Sequence, residues 1–163
     1  MTKIKNHEEI RKIAYGLRLF GKKIVTTNGS FDILHSAHLN LLEKAKKQGD
    51  GLIVLLNSDD SIEKFKGDSR PILNQNERAY LLSGLSCVDY VTIFNEDKPL
   101  NLLEIIKPHI HVKGGSYIKE RIREEREILE KCGGKLKLFE LEEGYSTTNI
   151  IQEILRKYNG NKY

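Results

Sequence analysis

Strand-like and helix-like stretches alternate along this chain almost without a break, and that alternation restricts its fold more than any other feature. Leu52-Ile53-Val54-Leu55-Leu56 is an uninterrupted apolar run of the kind found in strands covered on both faces. Shorter runs at Lys23 to Thr27, Tyr90 to Phe94, Ile110 to Lys113 and Leu136 to Leu141 predict further strands. Helical patterns fall between them: His7 to Leu19, a segment starting near Ser36 with Leu39, Leu42 and Ala45 on one face, Leu100 to Lys107, Glu120 to Glu130, and Thr148 to Tyr158. The polar stretch Ser61 to Gln75 reads as a long loop, followed by a helix to about Ser86. Strands joined through helices must run parallel, so the expected class is α/β, a doubly wound parallel sheet in a three-layer α/β/α sandwich. A length of 163 residues suits one core. The expectation is one domain over 1–163, with an appended helix in 1–20 and a disordered tail at 159–163.

Composition narrows the function classes. With 39% hydrophobic and 31% charged residues the chain reads as an ordinary soluble protein. No apolar run approaches a membrane span, and Met1-Thr2-Lys3-Ile4-Lys5 leads into charge, so no membrane partner and a cytoplasmic location are expected. Cys87 and Cys132 have no paired spacing, which argues against a zinc ribbon or a disulfide framework. A net charge of +4 suits an anionic substrate. It is scattered and not interleaved with aromatic residues, so no nucleic-acid partner is expected. The charged run Glu120 to Glu130 reads as a solvated helix face.

Four segments carry chemistry at strand-to-helix junctions. In Thr27-Asn28-Gly29-Ser30-Phe31-Asp32-Ile33-Leu34-His35-Ser36-Ala37-His38, Asn28-Gly29 breaks a strand and two histidines meet the positive end of the next helix. Imidazoles there can donate to phosphate oxygens on which charge grows during nucleotidyl transfer. Lys66-Gly67-Asp68-Ser69-Arg70-Pro71 gathers cations in a loop able to close over a phosphate, and Arg78 comes after it on the next helix. Val112-Lys113-Gly114-Gly115 ends a strand with two glycines, which let a ligand approach the backbone. Ser146-Thr147-Thr148 precedes the apolar ladder Ile150, Ile151, Ile154 and Leu155, as a helix cap or a phosphate site. All four fall on one edge of the predicted sheet, where ligands of open α/β sheets collect.

These segments, with Asn57-Ser58-Asp59 and Ser146-Thr147-Thr148-Asn149-Ile150-Ile151, resemble the cytidylyltransferase-like nucleotidyltransferase family from about Lys23 to Arg156. Within it, the chain is similar to the adenylyltransferases that make ADP-heptose from heptose 1-phosphate for bacterial lipopolysaccharide. The resemblance implies a Rossmann-like nucleotidyltransferase fold, ATP as substrate, and in-line attack of a sugar phosphate on the α-phosphorus with release of pyrophosphate. It implies that His35, His38 and Lys66 contact the triphosphate and that Arg78 lies near the phosphates. Asn28, Gly29, Ser30 and Phe31 join the nucleotide site, Lys113, Gly114 and Gly115 line base and ribose, and Ser146 and Thr147 lie near the phosphates. Asn57, Asp59 and Arg70 fall on the substrate side; Asp32 joins them and orders the first loop. Mg2+ is implied, carried by the phosphates and not by a cage of side chains. A homodimer and a separate sugar kinase in the pathway are implied as well. Two positions depart from the family pattern: Ala37 stands where it has glycine, and Ser116 where related heptose enzymes tend to have an acid. A cytidylyltransferase for glycerol 3-phosphate or phosphoethanolamine, an FAD synthetase, and a nucleotide-binding sensor without turnover are the alternatives.

Overall fold

The structure, a computed structural model, describes residues 2–115, 119–140 and 146–158. The expectations for Ser116, Leu141 and the 159–163 tail lie outside the described residues. Helix α1 (His7–Leu19) precedes strand β1 (Ile24–Gly29), then α2 (Ser36–Lys46), β2 (Gly51–Asn57), α3 (Asp59–Lys66), α4 (Gln75–Gly84), β3 (Tyr90–Phe94) and α5 (Leu100–Ile106). After β4 (Ile110–Gly114) come a short 3-10 turn (Lys119–Ile122), α6 (Arg123–Lys131), β5 (Lys135–Phe139) and α7 (Thr147–Tyr158).

The five strands pair in parallel in the order β3-β2-β1-β4-β5. This is the doubly wound sheet that the alternation predicts. The apolar run of β2 has its reason here: Leu52 to Leu56 are all fully buried, because both faces of the strand are covered. On one face Leu41, Leu42 and Ala45 of α2 and Ala79 and Leu82 of α4 pack on Val25, Val54 and Val112. On the other, Ile10 and Ala14 of α1, Leu102, Leu103 and Ile106 of α5 and Leu129 of α6 pack on Ile24, Ile53 and Leu55. Strand order reverses between β1 and β4, and the diverging crossovers leave a crevice beyond their carboxyl ends.

Three local expectations are corrected. The stretch from Ser61 is not all loop, since α3 occupies its first part. Ser58 caps that helix by accepting from the Ser61 amide, Asp59 and Asp60 sit at its positive end, and Ile62 is fully buried. The Ser-Asp-Asp start signal is present in the sequence, but the polar residues beyond Ile62 obscure it. The charged run after Lys119 is not wholly solvated either: Glu125 is only 1% exposed, because it turns inward to Lys113 of β4. Helix α4 ends at Gly84, short of Ser86, with Leu85 already extended. No residue of α7 is buried, in contrast to the other long helices.

Candidate functional site

A cavity of about 550 Å³ opens at the carboxyl ends of β1 and β4. Its walls include Asn28, Gly29, Ser30, Phe31 and Asp32 from the β1 junction, His38 from α2, Lys66 from α3, Lys113 and Gly114 from β4, and Thr147 from α7. Asn57 at the end of β2 also lines it. Sequence segments far apart in the chain thus converge at the topological switch point.

The β1–α2 junction is built with strain. Phe31 and Ile33 have φ of 46° and 50°, a left-handed conformation costly for side chains of this size, and for β-branched Ile33 above all. Asp32 holds the junction in that shape. Its Oδ2 accepts from Arg70 Nε and the Ile72 amide, both at 2.9 Å, and its Oδ1 from the Leu73 amide at 3.0 Å. Burial works to raise the Asp32 pKa, but the two amides and the Arg70 guanidinium outweigh it and hold the carboxyl below its ordinary value. Thr147 Oγ1 donates to the Asp32 carbonyl at 2.5 Å, which draws the start of α7 onto the same loop. At Gly29 a Cβ would lie 3.1 Å from the Phe31 ring, so glycine permits the ring to fold back over the strand end.

Helix α2 begins just past this junction. His35 occupies its N-cap position without making a side-chain cap bond, and its first turn carries no acid. The amides and positive dipole end there remain available to an anion. His35 and His38 stack with ring centroids 3.8 Å apart, and the Phe31 ring meets His38 edge-on at 5.2 Å. The Nδ1 atoms of both histidines are buried and have no hydrogen-bond partner among the described residues. Burial, with His35 and Lys66 close by, pushes the His38 pKa down to about 4; burial lowers that of His35 as well. The His38 ring is therefore neutral at pH 7, and with Nδ1 enclosed its Nε2 is left to serve a ligand. The Lys66 ammonium lines the same cavity, where partial desolvation and nearby Arg70 lower its pKa from the ordinary lysine value. Ala37, at the family's glycine position, lies inside α2, and the non-glycine residues with positive φ among those described are Phe31, Ile33 and Lys107. No left-handed backbone penalises the alanine.

Several expected site residues lie elsewhere. Arg78, expected near the phosphates, does not line the cavity, and its side chain is fully buried. It donates to the carbonyls of Leu73, Ser30 and Asn57 and to Asp59 Oδ1, at 2.6 to 2.9 Å. That corrects its role to one of tying the ends of β1 and β2 to α4, since these donors are already occupied. Asp59, expected beside the acceptor, is held by Arg78 and by the Gln75 amide and is not a cavity-lining residue. Arg70 faces Asp32, Ser146 caps α7 by accepting from the Asn149 amide, and Gly115 donates its amide to the Phe139 carbonyl; none of the three lines the cavity. His35 reaches it only through its stack on His38.

Sequence reasoning missed other wall residues. Asp97 and Lys98 precede α5, and Lys98 pairs with Glu124 at 2.7 Å. Glu125 lines the cavity too, gripping Lys113 Nζ through both carboxylate oxygens at 2.6 and 2.7 Å. His111, fully buried in β4, escapes the motif reading, although a titratable residue between Ile110 and Val112 is a signal in itself. Burial, with Lys113 nearby, pushes its pKa down to about 3.

The buried histidines give the fold an acid-sensitive side. His38 and His111 bind protons more weakly folded than unfolded, so their contribution to stability is complete above about pH 6.5 and is lost as pH falls from there toward about 4 and 3. The melting temperature is expected to drop between pH 7 and pH 5, and His38→Asn to reduce that drop; an equal drop in wild type and variant would contradict the neutral assignment of His38.

No group of three or more His, Cys, Asp or Glu able to hold a metal occurs among the described residues. The Asp32 and Asp59 carboxylates are already engaged with Arg70 and Arg78. No helix among the described residues is long and apolar enough to cross a membrane.

Comparison with known proteins gives the chain its family. The family profile described as cytidylyltransferase-like matches residues 26–153. The bifunctional protein HldE of Aliarcobacter butzleri is 50% identical over 151 residues, which are 93% of this chain and 31% of the relative. HldE of Geobacter metallireducens is 47% identical over 157 residues, 96% of this chain and 32% of the relative. The chain thus spans about a third of the length of these curated relatives. Among solved structures, a lipopolysaccharide core biosynthesis protein from Thermoplasma volcanium is 27% identical with a TM-score of 0.61, covering 77% of this chain and 100% of that one. The pantoate-beta-alanine ligase of Francisella tularensis shares the fold at 17% identity, with a TM-score of 0.65 over 100% of this chain and 82% of that one. A profile match across most of the chain, over the same strand ends that build the cavity, makes this chain a member of the cytidylyltransferase-like family.

Proposed function

We propose that this chain transfers AMP from ATP to a sugar 1-phosphate, with heptose 1-phosphate as the acceptor, giving an ADP-sugar and pyrophosphate. The observation that carries the reading is the convergence of His38, Lys66 and the uncapped start of α2 on one cavity at the switch point. The identity to HldE proteins supports the heptose branch, and the Thermoplasma relative supports a role in making lipopolysaccharide or other surface-glycan precursors.

In this reading an oxygen of the acceptor phosphate attacks the α-phosphorus in line, a new P–O bond forms, and the bond to the β-phosphate oxygen breaks. The attacking group is already an anion, so no general base is required. The protein's task is alignment and stabilisation of charge. His38 donates from Nε2 to the departing pyrophosphate, Lys66 adds a positive charge over the same oxygens, and the α2 amides hold the anion in place. The engaged carboxylates suit magnesium that arrives on the triphosphate, where it would neutralise phosphate charge. A homodimer, on the strength of the resemblance, and a cytoplasmic location complete the reading.

Pyrophosphate release tests it. ATP with D-glycero-D-manno-heptose 1-phosphate is expected to give turnover well above ATP with glycerol 3-phosphate, phosphoethanolamine or FMN. A marked preference for CTP, or release with glycerol 3-phosphate alone, would contradict it.

A further inference from the structure

His111 sits at the centre of the sheet, in register with Thr26 of β1, where the strand order reverses. Strand alternation sends Ile110 and Val112 into one core and turns His111 and Lys113 to the opposite face. The ring is fully buried and touches two polar groups of β1. Its Nδ1 lies 2.7 Å from Thr26 Oγ1 and its Nε2 lies 3.2 Å from Asn28 Oδ1. Asn28 is a wall residue of the cavity, one step before Gly29.

Two hydrogen-bond arrangements fit a neutral ring between a hydroxyl and an amide. In the first, the Thr26 hydroxyl donates to Nδ1, Nε2–H donates to Asn28 Oδ1, and the amide NH2 of Asn28 is left for the cavity. In the second, Nδ1–H donates to Thr26, the Asn28 NH2 donates to Nε2, and a carbonyl oxygen is left instead. The second arrangement strands the Thr26 hydroxyl hydrogen, which has no other acceptor among the described residues. It would also add a lone pair to a cavity that holds Lys66, His38 and a helix amino end, all suited to an anion. The first satisfies both ring nitrogens and the Thr26 hydroxyl.

We propose that His111 is a positioning residue which, through its Nε2–H, locks Asn28 with the side-chain NH2 facing the cavity as a fixed donor to a phosphate oxygen. The polarity of the Asn28 amide is set from inside the sheet. A ligand then meets a donor already oriented, with no side chain to turn on binding.

The proposal rests on the nucleotide reading of the cavity, and the experiment separates the two. Nitrogen-15 spectra of the free protein at pH 7 are expected to show His111 as the Nε2–H tautomer. By calorimetry, His111→Leu is expected to bind ATP about tenfold more weakly, the effect of one lost aligned hydrogen bond. Asn28→Asp, which puts a carboxylate where the donor stood, is expected to lose more. An Nδ1–H tautomer, or wild-type ATP affinity in a folded His111→Leu, overturns the proposal. If His111→Leu does not fold, the tautomer decides by itself. A wild-type protein that binds no ATP overturns the nucleotide reading instead, and leaves the tautomer to be judged separately.

Discussion

Replacing His38 by asparagine is expected to lower the rate of pyrophosphate release by about a hundredfold to a thousandfold, the usual effect of removing one oriented donor from developing oxyanion charge. The loss should appear in kcat, with ATP affinity changed far less. The reason is differential: charge on the bridging oxygen grows as the α–β bond breaks, so a donor aimed there acts more strongly on the transition state than on bound ATP. Asparagine keeps a polar group but cannot place it where the ring, wedged between His35 at 3.8 Å and Phe31 at 5.2 Å, now holds Nε2. Because burial keeps the His38 ring of the free protein neutral down to about pH 4, kcat/KM should show no inflection near 6.5 from this residue. Steady-state assays over pH 5 to 8 on wild type and variant check both points. An unchanged kcat in the variant would remove His38 from the chemistry.

Arg78→Met is expected to destabilise the fold by about 3 kcal/mol, as expected when a fully buried guanidinium that donates to several acceptors and to a partly exposed carboxylate is deleted. The side chain is fully buried and donates to three carbonyls and to Asp59. Methionine fills much of the volume but leaves the Ser30 and Asn57 carbonyls and the Asp59 carboxylate without their partner. Those two carbonyls belong to the ends of β1 and β2, so the loss should also loosen the cavity wall. Urea unfolding followed by circular dichroism measures the first effect. A variant with wild-type stability and sharply weaker ATP binding would return Arg78 to the phosphates, where the family resemblance placed it.

The misplacement of Arg78 shows where sequence reasoning reaches its limit. Strand and helix periodicity depends on neighbours a few residues away, so the sheet, its parallel pairing and the His35–His38 junction were all legible. The direction in which a long side chain on α4 points depends on Asp59 and Asn57, some twenty positions earlier, and no local pattern encodes it. Glu125 is similar. It stands in a run of charges that looks solvated, and only the arrival of Lys113 from a neighbouring strand makes its burial tolerable. Helix α3 was hidden for another reason: a cap and two acids announced it, but only Ile62 on its inner face is a buried apolar residue, too little to register as a periodic stripe. His111 needed the register of β4 against β1 before its contacts with Thr26 and Asn28 could be seen.

The central claim is that His38, Lys66 and the amino end of α2 hold the triphosphate of ATP. A crystal structure of the protein with a non-hydrolysable ATP analogue and magnesium tests it most directly. The expected result is β- and γ-phosphate oxygens within hydrogen-bond distance of His38 Nε2 and Lys66 Nζ, above the first turn of α2. Phosphates bound elsewhere, with the His35–His38 stack facing solvent or base, would contradict it.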